Sequence, residues 1–196
     1  HANKTCPGQN RYRNQVVLDL TAAPGGKTTQ MACLMKNEGT ITAVENDKIR
    51  FEKLKSNIEL QGAKNVEAVF SYGESIGKKY PEYFDKVLLD APCSAEGRFD
   101  VRTPSSYRYW NLKAVQENAK LQKKLLASAV SALKPGGILV YSTCTFAPEE
   151  NEEVINEALE KFKGTIEIDN VGAIHESPLR SLTNCVPGLI SWNGRK

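Results

Sequence analysis

Residues 16–30, Val-Val-Leu-Asp-Leu-Thr-Ala-Ala-Pro-Gly-Gly-Lys-Thr-Thr-Gln, constrain this chain more than any other stretch. They open as an apolar run rich in β-branched residues, the mark of a buried strand. They then turn through Ala22-Ala23-Pro24-Gly25-Gly26 and continue from Lys27 as a segment able to form a helix. A strand, a glycine-rich turn and a helix N-terminus make a corner suited to a nucleotide-like ligand. The glycines let backbone approach closely, and the free N–H groups of the first helical turn point at whatever sits there.

The strand-then-helix pattern repeats. Strands are expected at 40–45, 66–70, 86–90 and 138–142, with a sixth at 165–168. Asp47 is placed to cap a helix whose apolar residues Phe51, Leu54 and Ile58 share a face, and Gly62 ends it. A long helix follows Trp110, with Leu112, Val115, Ala119, Leu126, Ala129, Val130 and Leu133 at helical spacing, and Pro135-Gly136-Gly137 breaks it. Pro148-Glu149-Glu150 opens a further helix with proline and acids in its first turn. Short apolar strands alternating with helices specify an α/β fold, a doubly wound, mostly parallel sheet. Ligands of such sheets sit outside the carboxyl ends of the strands. That rule gathers residues 21–27, Glu45, 90–94 and 143–145 along one edge.

The residues leave several readings of this edge open. Gly26-Lys27-Thr28 fits the end of a P-loop, but Thr21 stands where its first glycine belongs. Asp90, after the apolar run Val87-Leu88-Leu89, would be the magnesium ligand of such an NTPase. The Gly-x-Gly-x-x-Gly of dinucleotide folds is absent. The first loop of an S-adenosylmethionine (SAM) methyltransferase ranks first, and a βα turn without any ligand is the bland alternative. Glu45 ends the second strand about 20 residues after the glycines, where an acid accepts ribose hydroxyls. Cys93 and Cys144 each lie just past a strand on the ligand edge, and a thiolate is both a good nucleophile and a good leaving group.

Composition bounds the rest. The 196 residues, 40% of them hydrophobic, fit one domain with a substantial core. No apolar run is long enough to span a membrane and no secretory signal is visible, so a cytoplasmic protein is expected. The net charge of +3 permits a nucleic-acid partner without demanding one. The five cysteines, Cys6, Cys33, Cys93, Cys144 and Cys185, have no metal-ligand spacing, and no metal is expected. Between Arg98 and Lys113, basic residues alternate with Phe99, Tyr107, Tyr109 and Trp110. Such a loop serves equally as an RNA contact or as a lid packing its own aromatics.

Four blocks in this order resemble the Sun/Fmu-type, or NSUN, family of RNA (cytosine-5) methyltransferases. They are Leu-Asp-Leu-Thr-Ala-Ala-Pro-Gly-Gly-Lys-Thr at 18–28, Ala-Val-Glu at 43–45, Leu-Asp-Ala-Pro-Cys-Ser-Ala-Glu-Gly at 89–97, and Tyr-Ser-Thr-Cys-Thr-Phe-Ala-Pro-Glu-Glu-Asn-Glu at 141–152. The resemblance implies a Rossmann-like SAM-dependent methyltransferase fold and settles the ranking that the first stretch leaves open; a P-loop NTPase and an RNA-binding module with an incomplete catalytic core stay as the alternatives. It implies that Thr21, Ala22, Ala23, Pro24, Gly25, Gly26, Lys27 and Glu45 hold SAM. Asp90 would lie between the cofactor and the target cytosine, Cys144 would be the nucleophile and Cys93 would assist product release. The substrate would be rRNA or tRNA, with no obligate protein partner. Residues 16–170 would form the core, 1–15 an N-terminal segment and 171–196 an incomplete end of the same domain. The chain departs from the family at Tyr72, which stands where an acid shortly after the third strand usually meets the adenine side of SAM.

Overall fold

The computed structural model describes residues 12–168. Five strands form one parallel sheet: β1 (Val16–Asp19), β2 (Thr40–Glu45), β3 (Val66–Phe70), β4 (Phe84–Asp90) and β5 (Leu133–Ser142). Their order is β3-β2-β1-β4-β5. The chain starts in the middle, winds outward to β3, then crosses back to place β4 on the other side of β1. The direction of winding reverses between β1 and β4, and a crevice opens there at the carboxyl ends. Asp19 pairs with Ala43 on one side and Leu88 on the other, while Glu45 pairs with Phe70 and Asp90 with Ser142. The expected edge is therefore formed.

Helices α1 (Gly26–Leu34), α2 (Lys48–Leu60), α3 (Ile76–Lys79) and α4 (Leu112–Ala132) connect the strands, and α5 (Glu152–Lys161) follows β5. Asp47 caps α2 as expected, its side chain accepting from the Arg50 amide. Asn111 caps α4 in the same way, accepting from the Ala114 amide. The larger core packs Leu18, Val87, Leu89 and Phe84 against Leu125, Leu126, Ala129 and Ala132 of α4, all essentially buried. The opposite face of the sheet packs Val17 and Ile41 against Ala32 and Met35. Each large side chain so buried contributes roughly 1.5–3 kcal/mol. No helix among the described residues is long and apolar enough to cross a membrane.

Three local expectations are corrected. The fifth strand begins at Leu133, and Pro135-Gly136-Gly137 lies inside it. Among the described residues β5 pairs with β4 alone, and a register shift between Phe84 and Lys86 absorbs the irregular stretch; an edge strand tolerates proline and a bulge. Residues 165–168 form no strand. The amides of Thr165 and Ile166 are taken by the Phe162 carbonyl in a local turn, and an isolated bridge joins Lys163 to Ile166. Pro148–Glu150 is a separate 3-10 turn, and α5 starts only at Glu152. Residues 171–196, most of 1–15, and with them Cys6 and Cys185, lie outside the described residues.

Candidate active site

The turn after β1 is pinned from beneath. Asp19, 1% exposed, accepts the Thr28 hydroxyl at 2.7 Å and so ties the end of β1 to the first turn of α1. Burial raises its carboxyl from 3.8 to about 6, against the opposing pull of the Thr28 hydrogen bond. This geometry turns the Thr28 hydroxyl into the core, away from the position a P-loop threonine needs to reach a metal. From the side, Arg50 donates to the Ala23 carbonyl at 2.7 Å and Asn57 to the Pro24 carbonyl at 2.7 Å. Gly25 has φ +108, and a Cβ there would also stand 3.0 Å from Leu54 Cδ1. Only glycine meets both demands without strain. No side chain caps α1, so its first N–H groups face the turn.

Glu45 is 4% exposed at the end of β2. Its Oε1 accepts the amides of Asn46 and Asp47, both at 2.9 Å, and its Oε2 lies 3.6 Å from Arg50. Arg50 thus joins Glu45 to the glycine-rich turn. Tyr72 follows β3 with its ring exposed. The Ser71 amide bonds the Glu45 carbonyl at 3.0 Å, so Tyr72 and Glu45 share one rim of the crevice.

Across the crevice, Asp90 is held at three points. Lys27 Nζ is 2.6 Å from its Oδ2, Ser142 Oγ donates to its Oδ1 at 2.8 Å, and Thr21 Oγ1 donates to its carbonyl at 2.8 Å. Just beyond it, Cys93 Sγ and Cys144 Sγ are 3.3 Å apart, and the Cys144 amide donates to Cys93 Sγ at 3.3 Å. Cys144 is exposed and Cys93 is half-buried. Burial pushes the Cys93 thiol up to about 11, so it keeps its proton at neutral pH.

Two carboxylates knit the cysteine loops together. Beneath them, Glu150 is fully buried and accepts the Ser94 amide at 3.0 and 3.2 Å, the Ser94 hydroxyl, and Gln122 Nε2 at 3.1 Å. Above them, Glu96 accepts Thr145 Oγ1 at 3.0 Å, the Phe146 amide at 3.1 Å and Trp110 Nε1 at 2.8 Å. Trp110 and Tyr107 both pack on Phe99, so part of the aromatic loop is a lid. Tyr109 is exposed. A cleft of about 230 Å³ opens beside Cys93, walled by Phe99, Tyr109 and Trp110 with Ser105, Ser106 and Asn118. A larger hollow, about 440 Å³, lies between α2 and the start of β3, away from the carboxyl ends of the strands.

The site residues expected from the sequence converge along this edge: the turn 21–27, Glu45, Asp90, Cys93 and Cys144. The residues missed are their supports: Asp19, Arg50, Ser142, Glu96, Glu150 and Asn151. Asp19 was hidden inside an apolar strand, where an acid at the last position was the available signal. Glu150 was hidden inside an acidic run that doubles as a helix start.

A five-stranded parallel sheet with this switch point, and with its polar side chains gathered at the carboxyl edge, is the Rossmann-like fold of SAM-dependent methyltransferases. Residues 9–177 match the family described as 16S rRNA methyltransferase RsmB/F, and the chain belongs to that family. It is 45% identical over 167 residues to the ribosomal RNA small subunit methyltransferase F of Vibrio parahaemolyticus, covering 85% of this chain and 35% of that protein. It is 41% identical over 171 residues to the protein of the same name from Aeromonas salmonicida, covering 87% and 36%. The chain thus spans about a third of the length of these curated relatives. Among solved structures, the NSun6 of Pyrococcus horikoshii, crystallised with SFG, superposes with a TM-score of 0.69 at 39% identity, over 76% of this chain and 38% of that one.

Proposed function

We propose that this chain is the catalytic core of a SAM-dependent RNA methyltransferase that makes 5-methylcytosine in rRNA or tRNA through a covalent cysteine adduct. The observation that carries the reading is the pair of thiols, 3.3 Å apart, beside an ion-paired aspartate at the switch point. The family and the names of its relatives support rRNA as the substrate class.

The residues of the crevice fit SAM by the chemistry of their donors and acceptors. The uncapped N-terminus of α1 suits a carboxylate. Glu45 would accept ribose hydroxyls, and a Cβ at Gly26 would meet nothing within 4 Å, leaving the turn open toward the crevice. Thr21, Ala22, Ala23, Pro24, Gly25, Gly26 and Lys27 would line the cofactor, and Asp90 would stand between it and the base. Bound there, SAM supplies an electrophilic methyl group.

Carbon 5 of cytosine is too weak a nucleophile to take that methyl group unaided. The Cys144 thiolate adds to carbon 6, forming the S–C6 bond and placing the former double-bond electron pair at carbon 5. Asp90 stabilises the ring near nitrogen 3. Carbon 5, made electron-rich by that addition, would then accept the methyl group that SAM supplies. Loss of the carbon 5 proton to water then re-forms the double bond and expels the Cys144 thiolate, and Cys93, whose thiol keeps its proton, assists by donating toward the departing sulfur 3.3 Å away. A paired cytosine has to leave its stack to reach these groups.

A covalent trap tests the reading. Cys93→Ala should retain RNA through denaturing electrophoresis, and Cys93→Ala with Cys144→Ala should not. RNA retained by both variants, or by neither in a protein extended to its relatives' length, overturns it.

A further inference from the structure

Glu150 and Asn151 are consecutive residues, and each grips a different cysteine loop. Glu150 takes the Ser94 amide and hydroxyl, one residue past Cys93. Asn151 accepts Thr143 Oγ1 at 2.6 Å and donates from Nδ2 to the carbonyls of Thr145 at 3.2 Å and Ala147 at 3.0 Å, on either side of Cys144. The stem carrying both is fixed to the sheet, because Tyr141 Oη on β5 donates to the Glu150 carbonyl at 2.6 Å. It is also fixed to α4, because Gln122 Nε2 reaches Glu150 Oε1 at 3.1 Å and the Pro92 carbonyl at 2.8 Å. This two-residue bracket therefore holds the Cys93–Cys144 separation from the side of the sheet and α4, while Glu96 and Gly97 tie the same two loops directly.

A fully buried carboxylate is an expensive way to join two loops, since desolvation penalises its charge. What it provides is acceptors alone. Ser94 donates twice and Gln122 once, and none of these donors can turn away without losing its partner.

We propose that Glu150 is a positioning residue for product release: its carboxylate holds the Cys93 loop at the distance from Cys144 that expulsion of the methylated base requires. The proposal rests on the covalent mechanism above. It concerns the second half of the reaction, because Cys144 keeps its grip through Asn151 and Glu96 when Glu150 is altered.

The test is single-turnover kinetics of the parent protein, Glu150→Gln, Ser94→Ala and Cys93→Ala with methyl-labelled SAM and an rRNA transcript, following the RNA-linked species on denaturing gels. Glutamine keeps the size of Glu150 but sets an NH₂ against donors. Glu150→Gln should form the adduct within about threefold of the parent rate and release it on the order of 10–100-fold more slowly. Ser94→Ala, which keeps the amide contact, should slow release less. Adding Glu150→Gln to Cys93→Ala should slow release no further. A structural defect alone would lower adduct formation in step with the folded fraction measured by thermal unfolding; that result overturns the proposal. So does release at the parent rate. If Cys93→Ala traps RNA while Glu150→Gln does not, the positioning role fails and the mechanism stands. If no variant traps RNA, both fail.

Discussion

At the scale of single residues, burial and exposure assign different chemistry to like groups. Asp19 is an aspartate held protonated more strongly in the fold than outside it, with its carboxyl raised from 3.8 to about 6 by burial. A raised folded-state value means that the ionised form costs stability. The contribution is present below about pH 4 and is lost as pH rises through 6, at most about 3 kcal/mol for two units. Asp19→Asn keeps an acceptor for Thr28 and removes the titration. Its unfolding free energy between pH 4 and 7 should therefore lack the decline that the parent shows, and parallel pH profiles would sink the assignment. The cysteines divide likewise. At pH 8 a thiol with a value of about 11 has roughly two orders of magnitude less thiolate than an ordinary cysteine. Iodoacetamide followed by peptide mapping should mark exposed Cys144 and Cys33 well before Cys93. Labelling of Cys93 first would contradict the geometry.

At the scale of elements, the strands and the helix faces were legible because each rests on periodicity and short-range chemistry. Asp47 as a cap, Gly62 as a stop, and the apolar runs ending in Glu45 and Asp90 all declare themselves within a few residues. The start of β5 did not, because Pro135-Gly136-Gly137 signals a break in any context, and only the pairing with β4, with its register shift between Phe84 and Lys86, accommodates it inside a strand. The role of Glu150 did not either: an acid after proline fits a helix start, and its partners Ser94 and Gln122 lie 56 and 28 residues away. The cysteine loops follow the same logic. Gly97 donates its amide to the Cys144 carbonyl at 2.9 Å, and a Cβ on Gly97 would stand 3.1 Å from that oxygen. The Cys144 carbonyl has to give by a few tenths of an ångström. Gly97→Ala should lower the rate of adduct formation by about tenfold or more while shifting unfolding by less than about 1 kcal/mol. Stability and rate falling together would mean that the contact is merely structural.

At the scale of the whole molecule, the crevice is built from both halves of the sheet. The turn after β1 leans on α2 through Arg50 and Asn57, and on the β4 side through Lys27–Asp90 and Thr21–Asp90. The Lys27–Asp90 pair is half-exposed and by itself contributes little. A ligand seated there touches elements that the chain reaches at residues 21–27, 45 and 90, and it resists any opening that separates β2 from β4. Binding to the folded state alone stabilises it by RT ln(1 + [L]/Kd), about 2.7 kcal/mol at a hundredfold excess over Kd. For a chain of this size that is a rise in Tm of roughly 5–10 °C. SAM should produce it, and Mg-ATP should not, because the Thr28 hydroxyl that an NTPase would turn to its metal is spent on Asp19. Hydrogen exchange should slow most in β1, β2 and β4 and least in α5, which lies outside the crevice. A shift with ATP alone would overturn the reading of the corner, and protection confined to α1 would show that the crevice does not act as one site.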